Sequence, residues 1–176
     1  MPAEAFVAKL NEQIGNEFAA HQQYVACAVY FESETLPQLA GFFYRQAMEE
    51  RDHAMMMVQY LIDTEETVAI PGVSAPETAF GDVVAPIALA LEQEKRVSEQ
   101  INGLAAIARE SGDYSSEQFM QWFIKEQVEE VATMSDLLRV AQRLREDVDD
   151  IEDYVAREQS DEDADPTAPR AAGAGA

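Results

Sequence analysis

Four long stretches of this chain carry apolar residues at alternating steps of three and four, and each stripe is interrupted near its middle by a glutamate. The stripes are Val7, Leu10, Ile14, Glu17, His21, Tyr24, Ala28, Phe31; Leu39, Phe43, Gln46, Glu50, His53, Met57, Tyr60; Ile87, Leu91, Glu94, Ser98, Ile101, Ala105, Ala108; and Met120, Phe123, Gln127, Glu130, Met134, Leu137, Ala141. That period is the signature of an amphipathic helix packed along one face. Four such helices of similar length predict an all-α fold, a bundle whose seam carries a carboxylate on every helix.

Breaks between the stripes set the topology. Pro37 and Gly112 sit in short connections, so the first and second helices, and the third and fourth, run antiparallel. The stretch TEETVAIPGVSAPETAFGDVVAP has no helical period and is rich in Pro and Gly. A helix of ~28 residues is ~42 Å long, while ~17 extended residues reach ~56 Å. The middle connection is thus long enough to cross the bundle, which makes the second and third helices parallel. Asp113 or Ser115 can cap the fourth helix, and Val148 to Glu158 reads as a short fifth. Residues 1–158 are expected to form one domain. Residues 159–176, acidic and then Ala/Gly/Pro-rich, are expected to be a disordered tail.

With that topology the heights of Glu17, Glu50, Glu94 and Glu130 coincide, roughly 18 to 25 Å from one end of the bundle at the helical rise. His53 follows Glu50 by three residues and Gln127 precedes Glu130 by three, so both join the same faces. One acid on a stripe is ordinarily a boundary residue whose head reaches water. Four in one layer are different, because burying ionised carboxylates together is costly unless protons or cations relieve the repulsion. Arg51, Lys95 and Lys125 each stand beside a stripe position and point away from the seam. A pair of divalent metal ions remains. Glu50 is placed centrally enough to bridge two metals, with Glu17 and His53 completing one and Glu94 and Glu130 the other. Carboxylates with one imidazole and no thiolate favour iron, with manganese a second possibility and zinc an inhibitor.

Composition agrees. The formal charge is −22, from 34 acids against 12 Lys and Arg, which argues against nucleic acid as a partner and for cations. Cys27 is the only cysteine, so one chain can build neither an internal disulfide nor a thiolate zinc site. The N-terminus MPAEAFVAKL has no basic and apolar leader pattern, and no apolar run approaches membrane-spanning length. A cytoplasmic protein with no membrane partner is expected.

These residues bring the chain to a family. Two helices giving one Glu each and two giving Glu-x-x-His is the ligand pattern of ferritin-like di-iron bundles. Glu50-Arg-Asp-His53 matches the first such motif, and Gln127-Val-Glu-Glu130 stands where the second would be. With the stretches QQYVACAVYF, EERDHAM and QFMQWFIKEQVEEVA, the chain resembles the non-haem bacterial ferritins from about Ala5 to Glu158.

The resemblance implies a ferroxidase and iron store: Fe(II) oxidised by O2 at the paired site, and Fe(III) mineral held in a homo-oligomeric shell of twenty-four subunits with the fifth helix at its four-fold axes. It implies catalytic roles for Glu17, Tyr24, Glu50, His53, Glu94, Gln127 and Glu130, Gln127 as a polar partner of the second iron, and a third, outer iron held by Glu49, Glu126 and Glu129. Trp122 resembles the family's tryptophan near the site and could donate an electron. Haem is not expected: a bacterioferritin's haem-binding methionine directly follows the Glu of Glu-x-x-His, and here Arg51 has that place, leaving Met55, Met56 and Met57 as packing residues. No ligand role falls to His21. Asp113 and Glu117 are candidate pore residues. The alternatives are a haem-containing bacterioferritin and a di-iron carboxylate oxidase that stores nothing.

Overall fold

The computed structural model describes residues 1–158 and 165–173, and the remainder of the tail lies outside the described residues. Among the described residues there are five helices and no strand: α1 (Glu4–Ser33), α2 (Pro37–Asp63), α3 (Val84–Glu110), α4 (Tyr114–Arg143) and α5 (Val148–Glu158). The all-α bundle expected from the stripes is what forms. The apolar stripes face inward almost as written. On α1 it is Phe6 that is buried and Val7 only partly so, and on α2 Leu61 takes the place of the half-buried Tyr60.

Where the long connection goes decides the topology. Leaving α2, it meets Asn11, whose side chain donates to the Thr67 carbonyl and accepts from Ala69 N–H. It passes Gly15 at Pro71, then exchanges two hydrogen bonds of 2.9 Å between Gln23 and the Glu77 backbone, and finally packs Phe80 against Tyr30 at 5.2 Å between ring centroids. The segment therefore climbs α1 from one end to the other. It delivers α3 to the end where α2 begins, so α2 and α3 are parallel. Gly15 is what permits the close approach, since a Cβ there would stand 2.7 Å from Pro71 Cγ.

The short breaks use one device. Leu36, Glu66 and Asp113 each donate N–H to a carbonyl five residues back, at 2.9, 2.8 and 2.9 Å, around a left-handed residue. Glycine fills that position only after α3, at Gly112 with φ +68; Thr35 and Glu65 fill it elsewhere. Asp113 then caps α4 by accepting from Ser116 N–H at 3.1 Å, while its other oxygen accepts from Ala3 N–H at 3.0 Å.

Pro37 opens α2 with no side-chain cap of its own. Glu152 of α5 supplies one from across the chain, its two carboxylate oxygens each accepting at 2.8 Å from Gln38 and Leu39 N–H. An anion at a helix N-terminus also meets the positive end of the helix dipole. Ile151 and Val155 seal the contact by joining the core.

That core is in two blocks. One gathers Tyr24, Phe31, Phe43, Ile87, Leu137 and Ile151 at the α5 end; the other gathers Phe6, Ile14, Leu61, Ile101, Met120 and Phe123 at the opposite end. Between them lies the polar layer described below.

The tail differs from a simple disordered extension over 165–173. Asp165 accepts from the Trp122 indole N–H at 3.1 Å and lies 3.5 Å from Lys125, Arg170 lies 3.5 Å from Asp63, and Ala172 N–H donates to the Met55 carbonyl at 2.9 Å. Composition predicts that such a segment cannot build a core of its own. It gains order instead by docking on a surface that α2 and α4 already provide.

Two outcomes follow. Replacing Glu152 with Ala leaves two N–H groups of α2 without their acceptor and should lower stability by about 1 kcal/mol, read by thermal unfolding, while Glu152→Gln should retain part of it. Truncation after Glu158 should shift the emission of Trp122, the single tryptophan, to longer wavelength as its indole is uncovered; unchanged emission would remove the docked tail.

Candidate metal centre

Each helix brings its carboxylate to the layer between the two apolar blocks because the three/four period keeps one face inward along its whole length. Glu17 is 1% exposed, Glu50 2%, His53 5%, Glu94 0%, Gln127 5% and Glu130 7%. Glu17, Glu50 and His53 each present a ligand atom within 4.8 Å of the others'. His53 Nδ1 lies 3.5 Å from Glu50 Oε2, one turn along α2, and its ring is held edge-on by Trp122 and Phe123 at 5.6 and 5.8 Å.

Glu94 and Glu130 adjoin this trio from α3 and α4. Both oxygens of Glu94 are engaged: the Tyr24 hydroxyl donates to Oε1, and Gln127 donates to Oε2 at 3.0 Å and to the Glu94 carbonyl at 3.3 Å. The Gln127 amide nitrogen also reaches Ser98 Oγ at 3.4 Å, so its N–H groups are spent on α3. Glu130 Oε1 accepts a long contact of 3.5 Å from Gln46 Nε2, and the same amide also donates to Glu49.

The electrostatics of the layer are strained in one direction. Burial first, and then the neighbouring acids, hold the Glu50 and Glu130 carboxyls well above the ordinary range, and burial raises Glu94 as well, against the hydrogen bonds from Tyr24 and Gln127. Tyr24 is held firmly as the phenol, by burial and then by Glu94 and Glu50. Glu17 Oε2 and Glu50 Oε2 are buried with no hydrogen-bond partner among the described residues. Orphaned carboxylate oxygens beside an imidazole are the donor set a hard or borderline divalent cation satisfies.

The outer residues lie alongside. Glu49 and Glu126 are half-buried and Glu129 is exposed; Glu49 raises Glu130, Glu126 is raised by burial and by Glu129, and Lys125 lies 3.8 Å from Glu129. His21 serves the scaffold, because its Nδ1–H donates to the Ala47 carbonyl at 2.5 Å and ties α1 to α2. Met57 is core, Met55 and Met56 are partly buried, and Arg51 is exposed and paired with Asp52 at 2.8 Å. Asp113 spends its carboxylate on backbone N–H groups, and Glu117 pairs with Arg109 at 2.6 Å. Both are therefore engaged within the subunit. Gln46, on the α2 stripe, and Gln13 are further buried polar residues of the layer. Gln13 stands off the α1 stripe and is linked to it only by the i to i+4 step to Glu17.

The comparison with known proteins gives the family. The ferritin-like domain family matches residues 7–144. The chain belongs to the ferritin family. It is 56% identical to a protein named ferritin BfrB of Mycolicibacterium smegmatis, over 96% of this chain and 93% of that one. It is 34% identical to the bacterial non-heme ferritin of Staphylococcus aureus, over 78% and 83%. Among solved structures it is similar to the open pore ferritin of Archaeoglobus fulgidus, with TM-score 0.84 and 28% identity over 88% of this chain and 96% of that one. No described helix of this ferritin is long and apolar enough to cross a membrane.

Raised carboxyls give a definite sign of pH dependence. Below the ordinary 4.5 a glutamate is protonated whether the chain is folded or not. Above it the unfolded chain releases the proton while the folded layer keeps it, so the metal-free bundle loses stability as pH climbs from 4.5 toward the raised values. Glu50→Gln should therefore stabilise the metal-free protein, and the gain should grow as pH rises above the ordinary glutamate range. A thermal melt series in chelator tests this; a gain that shrinks as pH rises would contradict it.

Proposed function

We propose that this ferritin stores iron by oxidising Fe(II) with O2 at the paired centre and depositing Fe(III) as a hydrous oxide inside a homo-oligomeric shell of twenty-four subunits. The observation that carries the reading is the convergence of Glu17, Glu50 and His53 on one point, with orphaned carboxylate oxygens and Glu94 and Glu130 alongside. In this reading Glu17, Glu50 and His53 bind one iron; Glu50, Glu94 and Glu130 bind the other. Two Fe(II) ions side by side supply two electrons to one O2, which is reduced as each iron is oxidised.

The protein's own groups do the rest. Acids held above their ordinary range give up protons as the cations arrive, so metal uptake releases protons to solvent. Tyr24 and Gln127 hold Glu94 from both oxygens, and the carboxylate-rich shell favours the ferric product. A glutamine where a second histidine would stand leaves the second iron on oxygen ligands only. That iron leaves readily, and iron passes through as a substrate. Glu49, Glu126 and Glu129 form the outer station on its way to the mineral, and Trp122 packs edge-on against His53 beside the first iron's ligands. The acidic subunit draws cations toward the shell. A cytoplasmic location is consistent with this role.

A second reading keeps the fold and adds haem, since one relative, 53% identical over 98% of this chain, carries the name bacterioferritin BfrB in Mycobacterium tuberculosis. Arg51 in the position after Glu50 favours the haem-free form. The absorption spectrum of protein expressed with ample haem separates the two: an intense haem band would establish the second reading.

His53→Ala should slow the first phase of ferric absorbance by at least about tenfold, followed by stopped flow on addition of Fe(II) in air. In size-exclusion chromatography, ferric iron far in excess of two per chain should elute with a particle of shell size. Elution as a monomer or dimer holding no more than two irons per chain would replace storage with a di-iron oxidase.

A further inference from the structure

Gln13 lies one helical turn before Glu17 on α1, and its side chain is 1% exposed within the layer of the centre. A primary amide buried without partners is costly, and this one has partners on both sides. Gln13 Nε2 donates to Glu17 Oε1 at 2.9 Å, and Gln13 Oε1 accepts from Asn16 Nδ2 at 3.0 Å. An amide nitrogen only donates and an amide oxygen only accepts, so Gln13 turns its NH2 to Glu17 and its carbonyl to the NH2 of Asn16. The other Glu17 oxygen, Oε2, is buried and meets no hydrogen-bond donor among the described residues. On the opposite side of the layer Glu94 is treated differently, with both its oxygens engaged.

We propose that Gln13 is a positioning residue for the first metal ion: its amide ties one oxygen of Glu17 so that the other is presented singly to a divalent cation, and Asn16 orients the amide that does so. Neither residue touches the metal. The mechanism is the restriction of a carboxylate's rotation by a buried hydrogen bond, which lowers the entropy lost on binding and selects the oxygen that binds. This rests on Glu17, Glu50 and His53 being a cation site, and the experiment separates the two.

Co(II) alone serves as the probe, titrated into the assembled, metal-free full chain and followed by calorimetry and by its visible absorption. Wild type, His53→Ala, Gln13→Met and Asn16→Ala are compared. Failure of wild type to bind Co(II), or identical binding in His53→Ala, overturns the site itself. If the His53-dependent step is present, Gln13→Met should weaken that step by roughly tenfold and change its absorption, leaving the remaining Co(II) step as in wild type; Asn16→Ala should act in the same direction, by less. Unchanged affinity and absorption in Gln13→Met overturn the proposal, as does an equal loss at both steps, which would mark a merely structural role. Should Gln13→Met fail to assemble, Asn16→Ala decides, and wild-type binding there overturns the proposal.

Discussion

Everything in this bundle is arranged around the cost of keeping carboxylates out of water. A layer containing Glu17, Glu50, Glu94 and Glu130 crosses the middle of the molecule and divides the apolar core into two blocks. In the metal-free chain the layer is relieved partly by protons, as the raised Glu50, Glu94 and Glu130 carboxyls show, and partly by hydrogen bonds from Tyr24, Gln127, Gln13 and Gln46. Such a layer is weak as a source of stability. Glu17, Glu50 and His53 within it form a candidate metal site, and the two blocks on either side hold the four helices together.

The rest of the fold keeps the four carboxylates level. The connection that climbs α1 makes α2 and α3 parallel, and Gly15 lets it lie close enough to hydrogen-bond at Asn11 and Gln23. At one end Glu152 of α5 caps α2; at the other Asp113 caps α4 and holds the chain's beginning through Ala3. Both are acids, so part of the strongly negative composition serves helix ends and not cations. An acidic residue count taken alone would mistake Asp113 for a surface group facing an ion.

Much of the centre was legible in the sequence. Period and turn residues locate four long helices and a short fifth, whose bounds Val148 to Glu158 are those observed, and the equal heights of Glu17, Glu50, Glu94 and Glu130 follow from helix length and a connection long enough to cross. His53 and Gln127 follow from a step of three. Other features were not legible. Phe6 replaces Val7 inside, where its ring meets Tyr60 edge-on, and His21 turns to the Ala47 carbonyl although it shares a stripe with Glu17. Residues 165–173 find partners on α2 and α4 that composition cannot reveal.

By itself, then, the sequence determined that four helices form and that each carries one acid at the same level; those properties depend on spacing along a chain and on charge, which are local. Tertiary structure alone decided that one oxygen of Glu17 but both oxygens of Glu94 are held, that Gln13 attends Glu17 while Gln127 attends Glu94, and that a glutamate on the last helix caps the second. These depend on hydrogen-bond directions and on distances of about 3 Å between side chains far apart in the chain or set by rotamers within it, and a period of three or four residues carries no information at that scale.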